Sequence, residues 1–149
     1  MTEKTDQTTP LPPAADADWF LQALVDMANG SDTEFPVTLN VGGMLVSGTL
    51  VGGHKYFEGF AKDFFSGWSE STRESAGTLE KWFAELGEIY TADKKADGGN
   101  PLASIRFIHL KNARFFQPGV APIPTNRGVW WRGRLEAVEG FVLGTLAVG

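Results

Sequence analysis

The first bulky apolar residues come at Trp19, and from there Phe20, Leu21, Leu24, Val25 and Ala28 recur at the spacing of one helical face. Asp18 stands where its side chain can accept the first free N–H groups, and Asn29-Gly30 stands where a helix ends, so the pattern predicts a short amphipathic helix. The period then changes to two: Val37, Leu39 and Val41 alternate with Thr38 and Asn40, Gly42-Gly43 supplies a turn tolerant of positive φ, and 44–51 continues as extended apolar chain. This is a β-hairpin. Beyond Gly52-Gly53 the period returns to that of a helix, with Phe57, Phe60, Phe64 and Trp68 stacked along one face. The polar stretch 66–77 reads as a loop, after which Thr78 can cap a second helix carrying Leu79, Trp82, Phe83, Leu86, Ile89 and Tyr90 as one stripe, weakened in its middle by Gly87. The two helices form an insertion at about 56–92 between strands.

Residues 92–101 have the lysine, aspartate and glycine of a surface loop. The segment 105–116 reads as a strand with apolar residues on both faces, Phe107 on one and Ile108 and Leu110 on the other. Three prolines and two glycines keep 117–128 out of a sheet interior and make it a long, stiff loop. The last segment, 129–138 and 141–148 around a Glu139-Gly140 turn, reads as a second hairpin. Within it Trp131 is assigned to a core face shared with Leu135, and Phe107 to one shared with Ile105. The expected fold is α+β: a small, strongly bent antiparallel sheet or an SH3/Sm-like barrel, with an N-terminal helix and two inserted helices. Gly48 and Gly144, inside strand-like strings, favour the curvature. Residues 1–17, rich in Thr, Pro and Asp, are expected to be a disordered acidic tail, and 18–149 a single domain.

Composition narrows the function more than the fold. With 149 residues, 42% hydrophobic and 21% charged, the chain suits one globular domain. A net charge of −5 repels phosphate backbones and disfavours nucleic acid as a partner. The absence of cysteine excludes disulfides and thiolate metal sites. The leader lacks the basic stretch and apolar run of an export signal, and no apolar run approaches the ~20 residues that span a bilayer, so a soluble protein with no membrane partner is expected. His54 and His109, the two histidines, have no second ligand at metal-binding spacing. No nucleophile elbow, P-loop or dinucleotide fingerprint occurs, which argues for no catalytic residues, no cofactor and no metal. Glu136 and Glu139 read as solvated charge at a hairpin end.

Two aromatic features stand out. In Trp130-Trp131-Arg132-Gly133-Arg134 aromatic and basic residues interleave, a combination able to stack a base and hold a phosphate. The Arg-Gly pair is similar to the second Sm motif. Strand alternation sends one tryptophan to the core and leaves the other beside Arg132 and Arg134. The helical stripes carry more large aromatics than a small core needs, and any left exposed would form a patch for partners or for self-association. The candidate interaction residues are Trp130, Arg132, Arg134, Phe60, Phe64 and Trp68.

Two strings also resemble a known family. Val37-Thr38-Leu39-Asn40-Val41-Gly42-Gly43, continued by Val46-Ser47-Gly48-Thr49-Leu50 and Lys55-Tyr56-Phe57, is one. Phe107-Ile108-His109-Leu110-Lys111-Asn112, continued by Trp131-Arg132-Gly133-Arg134-Leu135, Val138-Glu139-Gly140-Phe141 and Leu143-Gly144, is the other. Together they resemble the gas vesicle accessory proteins of the U type, the GvpU family, over most of the chain from about Trp19, leaving out 62–102. The resemblance implies a non-enzymatic cytoplasmic protein associated with gas vesicles. Its implied partners are the vesicle shell and other accessory proteins, and the acidic tail, surplus aromatics and arginine-bearing strand add further copies of itself, in a homo-oligomer or weak multivalent assembly. The competing readings are an Sm-like RNA-binding protein and a hydrolase of unrecognised type.

Overall fold

The computed structural model describes residues 17–68, 73–91 and 105–147. The expected tail therefore lies outside the described residues up to position 16; Ala17 is half-buried and packs on the core. Helix α1, Trp19–Gly30, begins where Asp18 Oδ1 accepts the Phe20 N–H at 2.8 Å, and it turns Leu21, Leu24, Val25 and Ala28 inward. Strands β1, Phe35–Val41, and β2, Met44–Val51, make the expected hairpin. Gly42 and Gly43 have φ of 61° and 86°, the pair of positive values that a two-residue turn matched to strand twist demands.

Helix α2, Gly53–Phe65, follows β2 at once, and helix α3, Arg73–Glu85, runs on into a 3-10 turn, Leu86–Tyr90. The second helix thus starts before Thr78, so Thr78 is not its cap. The Thr78 hydroxyl instead donates back to the Glu74 carbonyl at 3.4 Å within the helix, and the expected polar loop at 66–77 is shortened accordingly.

Strand β3, Phe107–Gln117, is the longest. It pairs with β2 on one side, and on the other it is shared by β4, Val120–Ile123, near its end and β5, Val129–Arg134, near its start. Residues 117–128 are therefore not loop throughout. Pro122 is tolerated because β4 is an edge strand whose pairings to β3, Phe115 with Ile123 and Gln117 with Val120, do not involve it. After β5 a 3-10 turn, Leu135–Ala137, carries the chain to β6, Val138–Leu143, which pairs with β1 at the opposite end of the sheet. The expected hairpin at 129–148 does not form: β5 and β6 bond different neighbours, and Glu139-Gly140 lies inside β6. The reversal is set by Leu135, which is buried and whose N–H donates to the Arg106 carbonyl at 2.8 Å.

Among the described residues the architecture is α+β, a six-stranded antiparallel sheet with an N-terminal helix and two helices between β2 and β3. Of the two expected forms the bent open sheet is the one adopted; no pairing between β5 and β6 closes it into an SH3/Sm-like barrel. One face carries α1 and a fully buried aliphatic core that includes Val37, Leu39, Leu50, Ile108, Leu110 and Leu135. Asn112, with φ of 55°, sits at the bulge that shifts the β3 registers with both β2 and β5.

Candidate functional site

Alternation along β5 separates the two tryptophans. Trp131, opposite Leu110, turns to the α1 side and packs on the core, where its ring lies over Gly133 so closely that a Cβ there would collide with it. Trp130, Arg132 and Arg134 share the other face with His109 and Phe107, since Arg132 opposes His109 and Arg134 opposes Phe107. Helix α2 lies directly on Trp130: a Cβ at Gly59 would collide with the indole, whose Nε1 donates to Asp63 Oδ2 at 2.8 Å.

Arg132 ties the face together. Its Nη1 donates at 2.8 Å to the Tyr90 hydroxyl and at 2.8 Å to His109 Nε2, and its guanidinium lies 3.9 Å from the Phe107 ring centroid and 5.5 Å from that of Phe57. Phe107 is accordingly half-buried through the arginine rather than through the aliphatic core, a correction to the shared face expected with Ile105, which packs on the core itself. A guanidinium can only donate, so Nε2 accepts and the neutral imidazole carries its proton on Nδ1. That Nδ1 has no hydrogen-bond partner among the described residues; the ring lies between Tyr56 and Tyr90, at centroid distances of 4.8 and 5.1 Å. Burial first, and then the Arg132 charge, push the His109 pKa down from 6.5 to about 3. Burial also raises the Tyr56 pKa, against the opposing effect of Arg132. At the rim, Glu34 accepts from Lys111 Nζ at 2.9 Å and from Lys55 Nζ at 3.1 Å. Its burial works against ionisation, but those two hydrogen bonds and charges outweigh it and hold the carboxyl below the ordinary value.

From Tyr56 a chain of rings runs outward: Tyr56 stacks on Phe60 at 5.7 Å, Phe60 on Phe64 at 5.6 Å, and Phe65 touches Trp68 at 4.9 Å and Phe83 at 5.7 Å. The six sequence candidates thus divide. Trp130, Arg132, Phe60 and Trp68 hold the helical layer to the sheet and to itself. Phe64 remains 54% exposed, and Arg134, its side chain 66% exposed, reaches Glu136 at 3.6 Å.

The stripe expected on α3 divides as well. Ala76, Phe83, Gly87 and Tyr90 face the interior, while Leu79, Trp82, Leu86 and Ile89 face outward, with Trp82 55% exposed. This outward row falls at intervals of three, four and three residues, and separating the two interleaved rows by that spacing is the signal that would have found it. A second apolar patch, also absent from the candidates, joins Trp19, Phe20 and β6: Phe20 meets Phe141 at 5.5 Å, and Leu143 is exposed on the same face of β6, while Val142 is exposed on the opposite face. Among the described residues, no three His, Asp or Glu side chains are grouped to hold a metal, and no helix is long and apolar enough to cross a membrane.

The model of one protein family, described as gas vesicle protein GvpU-like, matches residues 18–146. No curated protein and no solved structure gives a significant match.

Proposed function

This chain belongs to the GvpU-like family of gas vesicle proteins, and from that premise we propose that it is a non-enzymatic accessory protein of the cytoplasm. It influences how vesicles assemble or group, through weak contacts with vesicle proteins and with further copies of itself. The observation that carries this reading is the outward row of Leu79, Trp82, Leu86 and Ile89, with Phe64 exposed on the adjoining helix. Such a run of large, exposed apolar side chains on a small domain favours a protein partner. The alternative of an Sm-like RNA-binding face draws less support, because the Trp130 indole N–H is bonded to Asp63 and Arg132 Nη1 to Tyr90 and His109.

The test is light scattering of purified gas vesicles with added protein, comparing the parent with the double variant Trp82→Ser/Leu86→Ser. The parent is expected to group the vesicles and the variant to do so weakly or not at all. Equal grouping by both would remove the row from the mechanism. Submicromolar binding of a labelled single-stranded oligonucleotide, with no effect on vesicles, would overturn the reading in favour of RNA.

A further inference from the structure

The two ends of the open sheet carry the strongest remaining signal. On β6, the Gly144 N–H donates to the Pro36 carbonyl at 2.7 Å, and the alternation of an antiparallel ladder then turns Val142 and Gly140 toward β1. The backbone N–H and C=O groups of Phe141 and Leu143 point the other way, to a side where no described strand pairs. On β5 the Leu135 N–H bonds the Arg106 carbonyl, which by the same alternation directs Gly133 and Trp131 to β3 and the backbone groups of Arg132 and Arg134 outward. Again no described strand pairs there. β5 and β6 are therefore unpaired edges, in addition to the short edge strand β4, which carries Pro122.

A free edge is normally blunted by a proline, by charged side chains or by a covering element. Neither β5 nor β6 contains a proline, and their charges are Arg132 and Arg134 on β5 and Glu139 on β6. β6 presents Leu143, 55% exposed, on the face that carries Phe141 and the Phe20 contact, and Val142, 60% exposed, on the opposite face. The two edges also differ in sign. β5 contains Arg132 and Arg134 and no acid, whereas β6 contains Glu139 and no base. Pairing two β5 edges or two β6 edges sets like charges against each other, while β5 against β6 sets unlike charges together.

We propose that β6 of one copy pairs with β5 of a second copy, edge to edge, extending the sheet from one molecule into the next. The contact is heterologous, so each copy keeps one edge of each kind free after its first contact. Association proceeds beyond a dimer, to a ring if the rotation closes and to an open chain if it does not. The inference rests on the self-association part of the proposed function and locates it on the sheet edges, apart from the outward row of α3.

The experiment is sedimentation velocity of the full chain over a concentration series, with circular dichroism and thermal unfolding to check the fold of each variant. Leu143→Pro removes an outward donor without touching the ladder to β1. It is expected to weaken association by about tenfold or more, a modest effect for the loss of an edge hydrogen bond together with its geometry. A second pair of variants does not depend on proline being accommodated. Arg134→Glu alone should weaken association, and Arg134→Glu/Glu139→Lys, which exchanges the signs at those two positions while Arg132 keeps its bonds to Tyr90 and His109, should restore it.

Parental association by a folded Leu143→Pro variant, or failure of the double exchange to restore what the single change removes, overturns the edge contact. If association is instead lost in Trp82→Ser/Leu86→Ser and kept in Leu143→Pro, self-association stands and its place is α3. Should the parent remain monomeric at every concentration, both the edge contact and self-association fall, and vesicle grouping then tests the accessory role alone.

Discussion

Adjacent residues of β3 look into two differently built halves of the molecule. Leu110 faces α1 and is fully buried among aliphatic side chains; His109 faces α2 and the 3-10 turn and is buried among Tyr56, Phe57, Tyr90 and the Arg132 guanidinium. The aliphatic half needs shape and nothing else, so its interior closes completely. The aromatic half is held by ring edges, a cation over a ring and a few directed hydrogen bonds, and such a layer still leaves Phe64, Trp82 and Ile89 more than half exposed. The two faces of one sheet are thus packed by different means, and the outward row of Leu79, Trp82, Leu86 and Ile89 lies on the aromatic side. A domain arranged this way can present large apolar groups to partners without loosening the core that folds it.

The comparison is broken most severely from the aliphatic side. Leu110→Ala removes a side chain with no exposed surface, and a truncation of that kind typically costs ~2–5 kcal/mol. Because Leu110 packs with α1 residues and with β1 and β2 residues in one cluster, the loss is expected in the whole unfolding transition. Urea unfolding followed by far-UV circular dichroism should show one transition at a lower midpoint. A variant as stable as the parent would show that this half does not carry the fold.

The aromatic side is tested by acid. His109 takes up its proton at about pH 3 in the folded chain and near 6.5 when unfolded. Between those values the unfolded state binds one more proton, so the stability tied to the neutral ring is complete above about pH 6.5 and is lost steadily as pH falls toward 3. At about 1.4 kcal/mol per unit of pH, the loss between pH 6.5 and 5 is about 2 kcal/mol. Glu34, held below its ordinary pKa, adds loss in the same direction, but only as pH falls past about 4.5. Urea midpoints at pH 7, 6 and 5 should therefore fall in the parent, and fall less in His109→Gln, whose side-chain oxygen can still accept from Arg132. Identical slopes for the two proteins would contradict a buried, neutral His109.

How far the halves could be foreseen also differs. Helix α1 and the β1–β2 hairpin follow from local pattern, because Asp18 caps, Gly42-Gly43 turns, and Val37 to Val41 alternate in one register. The second hairpin was misread where local and tertiary signals disagree. Glu139-Gly140 has turn chemistry, whereas the real reversal at Leu135-Glu136-Ala137 has none and exists because Leu135 is buried and bonded to Arg106. The proline-rich 117–128 hid an edge strand for a related reason, since proline is excluded from central strands but not from edges. In the candidate face, the interleaved Trp130 and Arg132 were visible in the sequence, and so was the division of the two tryptophans between faces. Their partners Asp63, Tyr90 and His109 come from distant segments that no spacing connects. The outward row on α3 was hidden in plain view, merged with the inward row one residue away.

The smallest expected effect gives the sharpest contrast, because it compares neighbours on one helix. Phe83 is half-buried against Phe60 at 6.1 Å and Phe65 at 5.7 Å, while Trp82 points outward, and its ring contact among the described residues is Phe83 itself at 5.2 Å. Trp82→Ala forfeits that ring contact and some partly exposed area, which limits the loss to about 1 kcal/mol. Phe83→Ala opens the packing between α2 and α3 and should cost more, because its neighbours cannot close over the space. The measurement is the thermal midpoint of each variant beside its effect on vesicle grouping. A nearly parental midpoint with weakened grouping for Trp82→Ala, and a lowered midpoint for Phe83→Ala, is the expected pair. If Trp82→Ala proves the more destabilising, the tryptophan packs inward, the two rows on α3 are exchanged, and the exposed surface must be sought on Phe83 and Tyr90 instead.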